Sequence, residues 1–319
     1  MFRPQIQKTR ILFLLAVITM GMVYWAVNSY EQNETYGYDV KLQAVDLMEN
    51  AINSLREEFI YRGINNGDDS IAFGSFLIGD SITSITTLEG AFESKLSTIN
   101  PNFAAMITEM FFELELDSSS KVAVSYTGSY PGGNIAVLSA LEAMNIDAAI
   151  ISSCGASSYG ATYPEMTWID IEHYLFEMNQ FSNKSNISSI GGGLDIGSQL
   201  KRKGKKVCED AIYSNKLNPL FERNPINNVN QRLSYYSQYS EIDNINLFIN
   251  VGGGVYVTGD RFKRSSLPGG IIYPGDINLD SNKTVLEQFL EREIPVININ
   301  QIDSLTAWYE LPYPHNFEN

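Results

Sequence analysis

Residues 121–152 read KVAVSYTGSYPGGNIAVLSALEAMNIDAAIIS, and this stretch decides the fold. A short β-branched run at 121–126 ends in a glycine turn, and the apolar residues of 134–144 recur at helical spacing. A second buried apolar run follows at 148–152. Apolar strands separated by helices are typical of a parallel sheet that is covered on both faces. The stretch therefore predicts two parallel strands joined by a helix.

The same alternation continues toward the C-terminus. Further strands are predicted at 187–190, 246–251 and 295–300, and helices near 205–215 and 229–240. We therefore expect an α/β domain over residues 120–319. Its sheet should be mostly parallel, with five strands and with helices on both faces, in a Rossmann-like arrangement.

Residues 31–119 have a different pattern, which predicts a mostly helical lead-in. Apolar positions at helical spacing predict a helix over 38–61 that ends at Gly63. Residues 71–90 are rich in Gly, Ser, Thr and Ile, which favours short strands or an ordered loop. Asn100 and Pro101 are expected to begin another helix, as its N-cap and its first residue.

An uncharged run, ILFLLAVITMGMVYWAV, occupies residues 11–27. With residues 28–30 it is long enough to cross a bilayer, so we expect a transmembrane anchor at 11–30. Arg3, Lys8 and Arg10 make residues 1–10 a basic tail, which the positive-inside rule places in the cytoplasm, with the body outside. A cleaved signal peptide is the alternative, but the length of the run and the lack of an A-x-A-like site favour an uncleaved anchor in the cell membrane.

The charge of the chain limits its partners. The formal net charge is −15, and residues 31–319 hold 19 basic against 37 acidic side chains, a balance of −18. Such a body is repelled by nucleic acid and by anionic lipid headgroups, so we expect no nucleic-acid partner. The composition, 44% apolar and 18% charged, is ordinary for a chain with a sizeable core.

The chain has two cysteines, Cys154 and Cys208, and two histidines, His173 and His315. Neither pair has the spacing of zinc ligands, so no metal site is predicted. The sequence favours two separately buried thiols, which behave as small apolar groups. A disulfide is the alternative if the body is exported.

Glycine-rich polar turns follow four of the predicted strands, and parallel strands bind ligands at their carboxyl ends. Free backbone N–H groups at such turns attract a carboxylate or a phosphate. We therefore expect a ligand-binding cleft whose cofactor, if any, the sequence does not identify. The candidate binding residues are Thr127, Gly128, Ser129 and Asn134 of the first turn, Ser153, Cys154, Gly155, Ser157 and Tyr159 of the second, Gly191, Gly192, Gly193 and Asp195 of the third, and Gly252, Gly253 and Gly254 of the fourth.

None of these turns contains an established catalytic or nucleotide-binding motif. The first lacks both the lysine of a phosphate-binding loop and the G-x-G-x-x-G spacing, and residues 155–160 are one residue too long for a nucleophile elbow. A Ser–His hydrolase is disfavoured because His173 lies in a predicted helix and His315 in a proline-rich tail. The sequence therefore identifies no catalytic residue.

Four acidic residues are further candidates: Glu165, Asp170, Glu172 and Asp195. Paired carboxylates can serve acid–base chemistry or hold a divalent cation. The favoured interpretation is structural, with Glu165 and Glu172 on a solvated helix face and Asp195 as a helix N-cap.

Six stretches resemble one known family. They are 81–103 (SITSITTLEGAFESKLSTINPNF), 128–137 (GSYPGGNIAV), 150–167 (IISSCGASSYGATYPEMT), 191–195 (GGGLD), 249–255 (INVGGGV) and 308–312 (WYELP). In their sequence and in their order along the chain, these stretches resemble the poly-gamma-glutamate system proteins, the PgsW-like group. The resemblance implies an envelope accessory role in making, exporting or processing the polymer, beside the ligase and membrane components of that system. It implies no catalytic residue.

Three functions remain open. The first is a membrane-anchored accessory protein that binds the polymer or partner subunits through its glycine-rich cleft. The second is a hydrolase or transferase of γ-glutamyl chains, with Ser129, Ser153, Ser157 or Asp195 near the chemistry. The third is a module that binds a small anion, such as glutamate or phosphate, at residues 127–134.

Overall fold

A computed structural model describes residues 9–29, 35–64 and 67–313. The chain divides into two compact units, Met1–Tyr38 and Asp39–Asn319. In the first, helix α1 spans Thr9–Asn28, and it is long and apolar enough to cross a membrane, with a mean hydropathy of 2.0. Residues 1–8 of the predicted basic tail and Tyr30, the last residue of the predicted anchor, lie outside the described residues.

Eleven further α-helices and nine strands follow in the described residues, besides three short 3-10 helices. The helices are α2 (Tyr38–Arg62), α3 (Phe92–Thr98), α4 (Asn102–Glu113), α5 (Pro131–Ala143), α6 (Trp168–Glu177), α7 (Arg202–Ser214), α8 (Pro225–Tyr239), α9 (Val255–Thr258), α10 (Arg261–Ser266), α11 (Val285–Glu291) and α12 (Ile302–Trp308). The strands are β1 (Thr86–Leu88), β2 (Val122–Thr127), β3 (Ala148–Ser153), β4 (Ala156–Ser157), β5 (Ile187–Ser189), β6 (Asn218–Pro219), β7 (Leu247–Val251), β8 (Gly270–Ile272) and β9 (Val296–Ile299).

Seven strands form the main sheet, in the order β6-β5-β3-β2-β7-β9-β8. Every neighbouring pair is parallel except β8 with β9. All five predicted strands are present, as β2, β3, β5, β7 and β9. The two edge strands β6 and β8 were not predicted, because two and three residues are too few to show a periodic pattern. The fold is therefore α/β with a mostly parallel sheet.

The order of the strands reverses at the centre of this sheet. From β2 the chain proceeds through β3, β5 and β6 to one edge, and it then returns to place β7 on the other side of β2. Such a reversal leaves a crevice between the carboxyl ends of the two central strands. In this sheet the crevice lies beyond Thr127 of β2 and Val251 of β7.

Helices pack on both faces of the sheet. Because side chains alternate along a strand, Val122, Val124 and Tyr126 of β2 lie in one core and Ala123 lies in the other. Helices α2, α4, α5, α6 and α12 contribute to the first core, and α8, α9 and α11 to the second. Helices α2 and α4, which precede β2, thus share a core with the sheet.

Cys154 and Cys208 form a disulfide, so the expectation of two separate thiols is wrong. Helix α7 packs over the turn after β3, which brings the two Cα atoms to 5.5 Å although 54 positions separate them in the sequence. The bond lies in a small apolar cluster with Ile85 and Ile190. Spacing along the chain carries no sign of this contact, because it depends on how α7 packs.

The expectation of a solvated helix face is wrong for Glu172. Helix α6 turns this side chain inward, and 2% of it is exposed. Its carboxylate accepts hydrogen bonds from the Tyr126 hydroxyl and from the backbone N–H and hydroxyl of Ser185, the latter two at 2.9 Å. Burial raises the pKa of Glu172 to about 7. Glu165 is exposed, but it lies in the turn before α6, so it is not on a helix face either.

Candidate functional site

The four glycine-rich turns surround one cavity of about 660 Å³ at the carboxyl ends of the strands. The predicted residues that line it come from every turn: Thr127 and Ser129, Ser153, Gly155 and Ser157, Gly192 and Gly193, and Gly252, Gly253 and Gly254. The parallel order explains this meeting, because neighbouring parallel strands deliver their following turns to the same edge.

Backbone contacts hold the turns together. The Gly128 N–H donates to the Ser153 carbonyl at 3.1 Å, and the Gly155 N–H donates to the Ile190 carbonyl at 2.8 Å. Gly252 has a φ of 86°, and a Cβ there would lie 2.5 Å from the Thr127 hydroxyl. Only glycine suits this position, both for its backbone conformation and for the close approach of the first and fourth turns.

Six predicted residues do not line the cavity: Gly128, Asn134, Cys154, Tyr159, Gly191 and Asp195. The Asn134 amide instead donates to the Thr127 carbonyl at 2.8 Å and so closes the first turn. Tyr159 adopts a φ of 64° and packs edge-on against Phe92. The Asn134 and Tyr159 side chains therefore stabilise the turns without lining the cavity.

Asp195 forms a buried ion pair with Arg232 of α8, with 2.6 Å between Oδ2 and Nη2. The Ser189 hydroxyl donates to the other carboxylate oxygen at 2.8 Å. Asp195 is the last residue of a short 3-10 helix, Gly193–Asp195, so the expectation of a helix N-cap is wrong. Its carboxylate oxygens are engaged within the protein. The pair fastens the third turn to α8.

A further wall of the cavity comes from residues before the main sheet. Strand β1 pairs in parallel with β4, with Leu88 opposite Ser157. This pairing brings residues 87–91 and the start of α3 to the second turn. It also places Lys95, which no sequence pattern had marked, in the lining of the cavity.

Lys95 is buried, with 2% of its surface exposed. Its Nζ donates to the Ser157 hydroxyl at 2.9 Å and lies 3.5 Å from the centre of the Tyr130 ring. Among the described residues, no carboxylate lies within 4.0 Å of this amine. Burial without a countercharge lowers the pKa of Lys95 to about 7. The Lys95 amine is therefore expected to change its protonation state near neutral pH.

Two glycines make room for this arrangement. A Cβ at Gly132 in α5 would lie 2.5 Å from the Thr98 carbonyl oxygen, so the glycine lets α5 approach the end of α3. A Cβ at Gly90 would lie 2.9 Å from the Ser157 hydroxyl oxygen. The absent side chain at Gly90 leaves the hydroxyl open on that side.

Helix α10 adds Arg261 and Arg264 to the lining. Arg264 is partly buried, and its Nη1 lies 3.4 Å from the Gly253 carbonyl oxygen. Neither arginine is within 4.0 Å of a carboxylate in the described part of the chain. Two acids, Glu89 and Asp260, also reach the cavity; both are exposed, and Asp260 caps α10 by accepting from the Lys263 N–H at 3.0 Å. Unpaired guanidinium groups suit a ligand that carries carboxylates or phosphates.

The glycine-rich turns of the sequence do not indicate these cations, because Lys95, Arg261 and Arg264 lie outside the turns. Two weak signals were available. Residues 261–264, RFKR, follow the fourth turn closely, and Lys95 lies inside the 81–103 stretch that carries the family resemblance. Neither signal gives the pairing of β1 with β4, on which the position of Lys95 depends.

His173 lies on α6, where its ring faces Glu177 at 3.8 Å, and it does not line the cavity. His315 lies outside the described residues. Within residues 9–29, 35–64 and 67–313, no group of three or more His, Cys, Asp or Glu side chains is arranged to hold a metal ion. No protein-family model, no curated protein and no solved structure matches this chain.

Proposed function

We propose that this chain is a membrane-anchored accessory protein of a bacterial poly-γ-glutamate synthesis or export system, and that its cavity binds carboxylates of the polymer. One observation carries the proposal. Lys95, Arg261 and Arg264 line a single cavity, without carboxylate partners among the described residues, in a body whose charge is strongly negative. The polymer itself is suggested by the family resemblance of the sequence.

The physical argument concerns where an acidic protein can hold an acidic polymer. Each γ-linked glutamate leaves its α-carboxylate free, so the chain is a polyanion that the acidic body repels at long range. Guanidinium groups bind carboxylates through two parallel hydrogen bonds, and partial burial strengthens that attraction. Arg264 is the partly buried arginine of the cavity, and it is therefore the expected anchor for one carboxylate.

The proposal includes a location. The N-terminus would lie in the cytoplasm, α1 would cross the cell membrane once, and the body would face outward, beside the ligase and membrane components. The support for this orientation is the basic residues Arg3, Lys8 and Arg10 before the uncharged run 11–27, together with the Cys154–Cys208 disulfide. Disulfides persist in oxidising compartments and are rare in the cytosol.

The proposal also includes a Rossmann-like arrangement, in which the ligand occupies the crevice where the strand order reverses. Its support is that Thr127, the last residue of β2, and Gly252, the residue after β7, both line the cavity. Binding there would place the polymer against the glycine turns as well as against the cations.

The test is a binding titration of the full chain in lipid nanodiscs with γ-glutamyl oligomers of defined length. We expect saturable binding that Arg264→Gln weakens about tenfold or more, because a hydrogen bond to a charged group contributes roughly 1.5–3 kcal/mol. Arg202→Gln, an exposed arginine of α7, makes the same charge change away from the cavity and should bind as the wild type does. Absence of binding, or equal weakening by both variants, would refute the proposal.

A further inference from the structure

We propose that Ser157 and Lys95 form a nucleophile–base pair that transfers the acyl group of a carboxylate-bearing amide. The identification of that amide as a γ-glutamyl linkage rests on the proposed function. The assignment of the pair does not rest on it, because it depends only on the positions of the Ser157 and Lys95 side chains and on the open space beside the Ser157 hydroxyl.

The first argument is the position of the base. Lys95 Nζ lies 2.9 Å from Ser157 Oγ, within reach of the hydroxyl proton, and it is buried away from bulk water. The aromatic ring of Tyr130 lies on the amine, and no carboxylate of the described residues neutralises it. A desolvated amine beside a hydroxyl is the arrangement that activates a serine without a histidine.

The second argument separates Ser157 from its neighbours. Ser129 and Ser153 line the same cavity. The Ser129 hydroxyl oxygen accepts the Ser157 backbone N–H at 3.0 Å, and the Ser153 hydroxyl has no hydrogen-bond partner. Neither of them has a lysine or a histidine at hydrogen-bond distance in the described residues, and the same holds for Ser198, the remaining serine of the lining. Ser157 is therefore the serine of the cavity that a base can activate.

The third argument is the room for a substrate. Ser157 is partly exposed toward the cavity, and Gly90 leaves the space beside its hydroxyl open. Arg264 lines the same cavity and can hold a carboxylate of the acyl donor. The cavity thus offers a nucleophile, a base and a cation to one ligand.

The reaction balances without a further reagent. Ser157 Oγ attacks the amide carbonyl carbon while neutral Lys95 accepts the hydroxyl proton. The C–N bond then breaks, and the departing amine takes that proton from the Lys95 ammonium, which leaves an ester on Ser157. Water or a second amine attacks this ester, Lys95 accepts the proton of the attacker, and Ser157 Oγ recovers a proton as the acyl product leaves.

The test is covalent labelling of the full chain in nanodiscs with a biotinylated fluorophosphonate, followed by mass spectrometry of the labelled peptide. We expect the label on Ser157, and its loss in Ser157→Ala. Ser237→Ala removes an exposed serine of α8 and should leave labelling unchanged. A folded chain that shows no label on Ser157 between pH 6 and pH 9 would overturn the proposal.

Two further readouts distinguish a base from a structural lysine. Labelling should become about tenfold faster from pH 6 to pH 8, as Lys95 loses its proton, while Tyr130, whose pKa burial raises to about 12, stays protonated. Lys95→Arg keeps the positive charge but cannot accept a proton, so labelling should be lost although thermal unfolding still shows a folded chain. Labelling of Lys95→Arg at the wild-type rate would contradict the role of the lysine.

The outcome is independent of polymer binding, because the probe is small and bears no carboxylate. Polymer binding without labelling would remove the pair and leave the proposed function. Labelling without polymer binding would remove the proposed function and leave the nucleophile–base pair. If both hold, a saturating γ-glutamyl oligomer should slow labelling several-fold, and labelling at an unchanged rate would refute a carboxylate-bearing substrate.

Discussion

Removing an amine from water costs free energy unless a countercharge compensates, and Lys95 has no such countercharge among the described residues. A lysine that serves only to stabilise a fold is seldom buried in this way. The residues around it, Ser157 and Tyr130, belong to the turns that form the cavity. At the scale of single residues, the free energy that burial of Lys95 costs is therefore spent at the cavity, and strongly shifted pKa values are common at functional sites.

That cost predicts a pH-dependent stability. Burial lowers the pKa of Lys95 from its ordinary 10.5 to about 7. Below pH 7 both the folded and the unfolded chain hold the proton, and the buried charge destabilises the fold in full. Between pH 7 and pH 10.5 only the unfolded chain keeps the proton, so rising pH stabilises the folded state.

Lys95→Met removes the charge at nearly constant volume. We expect its melting temperature to exceed that of the wild type most at pH 6, and the difference to shrink as the pH rises toward 10. Lys206→Met, an exposed lysine of α7, should show no comparable trend. A difference between Lys95→Met and the wild type that does not vary with pH would contradict the burial argument.

Gly90 allows a second prediction at this scale. In Gly90→Ala the new methyl group would lie 2.9 Å from Ser157 Oγ and 2.8 Å from the Ser158 carbonyl oxygen, which belongs to the backbone. We expect the crowding to destabilise the fold by about 1–3 kcal/mol and to slow fluorophosphonate labelling of Ser157. Chemical denaturation measures the first effect and the labelling rate the second. If Gly90→Ala had the wild-type free energy of unfolding and the wild-type labelling rate, neither the stability nor the reactivity of Ser157 would depend on the space beside its hydroxyl.

At the scale of elements, the periodic pattern was sufficient for the long parts of the fold. The central strands β2, β3 and β7 and the helices α5 and α8 were predicted because their apolar residues follow the period of their structure. Helix α3, the pair β1 with β4 and the edge strands β6 and β8 are short, and tertiary packing determines them. The site was correspondingly half predicted: its glycine turns were found, and the elements that bring Lys95, Arg261 and Arg264 were not.

The disulfide joins two of these elements, the turn after β3 and helix α7. Closing a loop of this length restricts the unfolded chain by about 4 kcal/mol, which corresponds to a fall of roughly 10 °C in melting temperature on reduction. We expect Cys154→Ser/Cys208→Ala to melt near the reduced wild type and to be insensitive to dithiothreitol. An equal response of both proteins to the reductant would show that the bond is absent from the folded chain.

At the scale of the whole molecule, two properties act together. An apolar helix, α1, precedes a body with a large negative charge, and that body gathers unpaired cations in the cavity at the carboxyl ends of its sheet. Because the switch of strand order delivers Thr127 and Gly252 to that cavity, the ligand and the chemistry proposed here share one location.

Hydrogen–deuterium exchange of the full chain in nanodiscs, with and without a γ-glutamyl oligomer, tests this shared location most directly. The account predicts that the oligomer slows exchange in residues 86–95, 127–134 and 252–264, the segments that contribute lining residues to the cavity, and leaves α2 and α11 unchanged. Slowed exchange confined to other surfaces, or no change in any of the three segments at a saturating concentration, would contradict it.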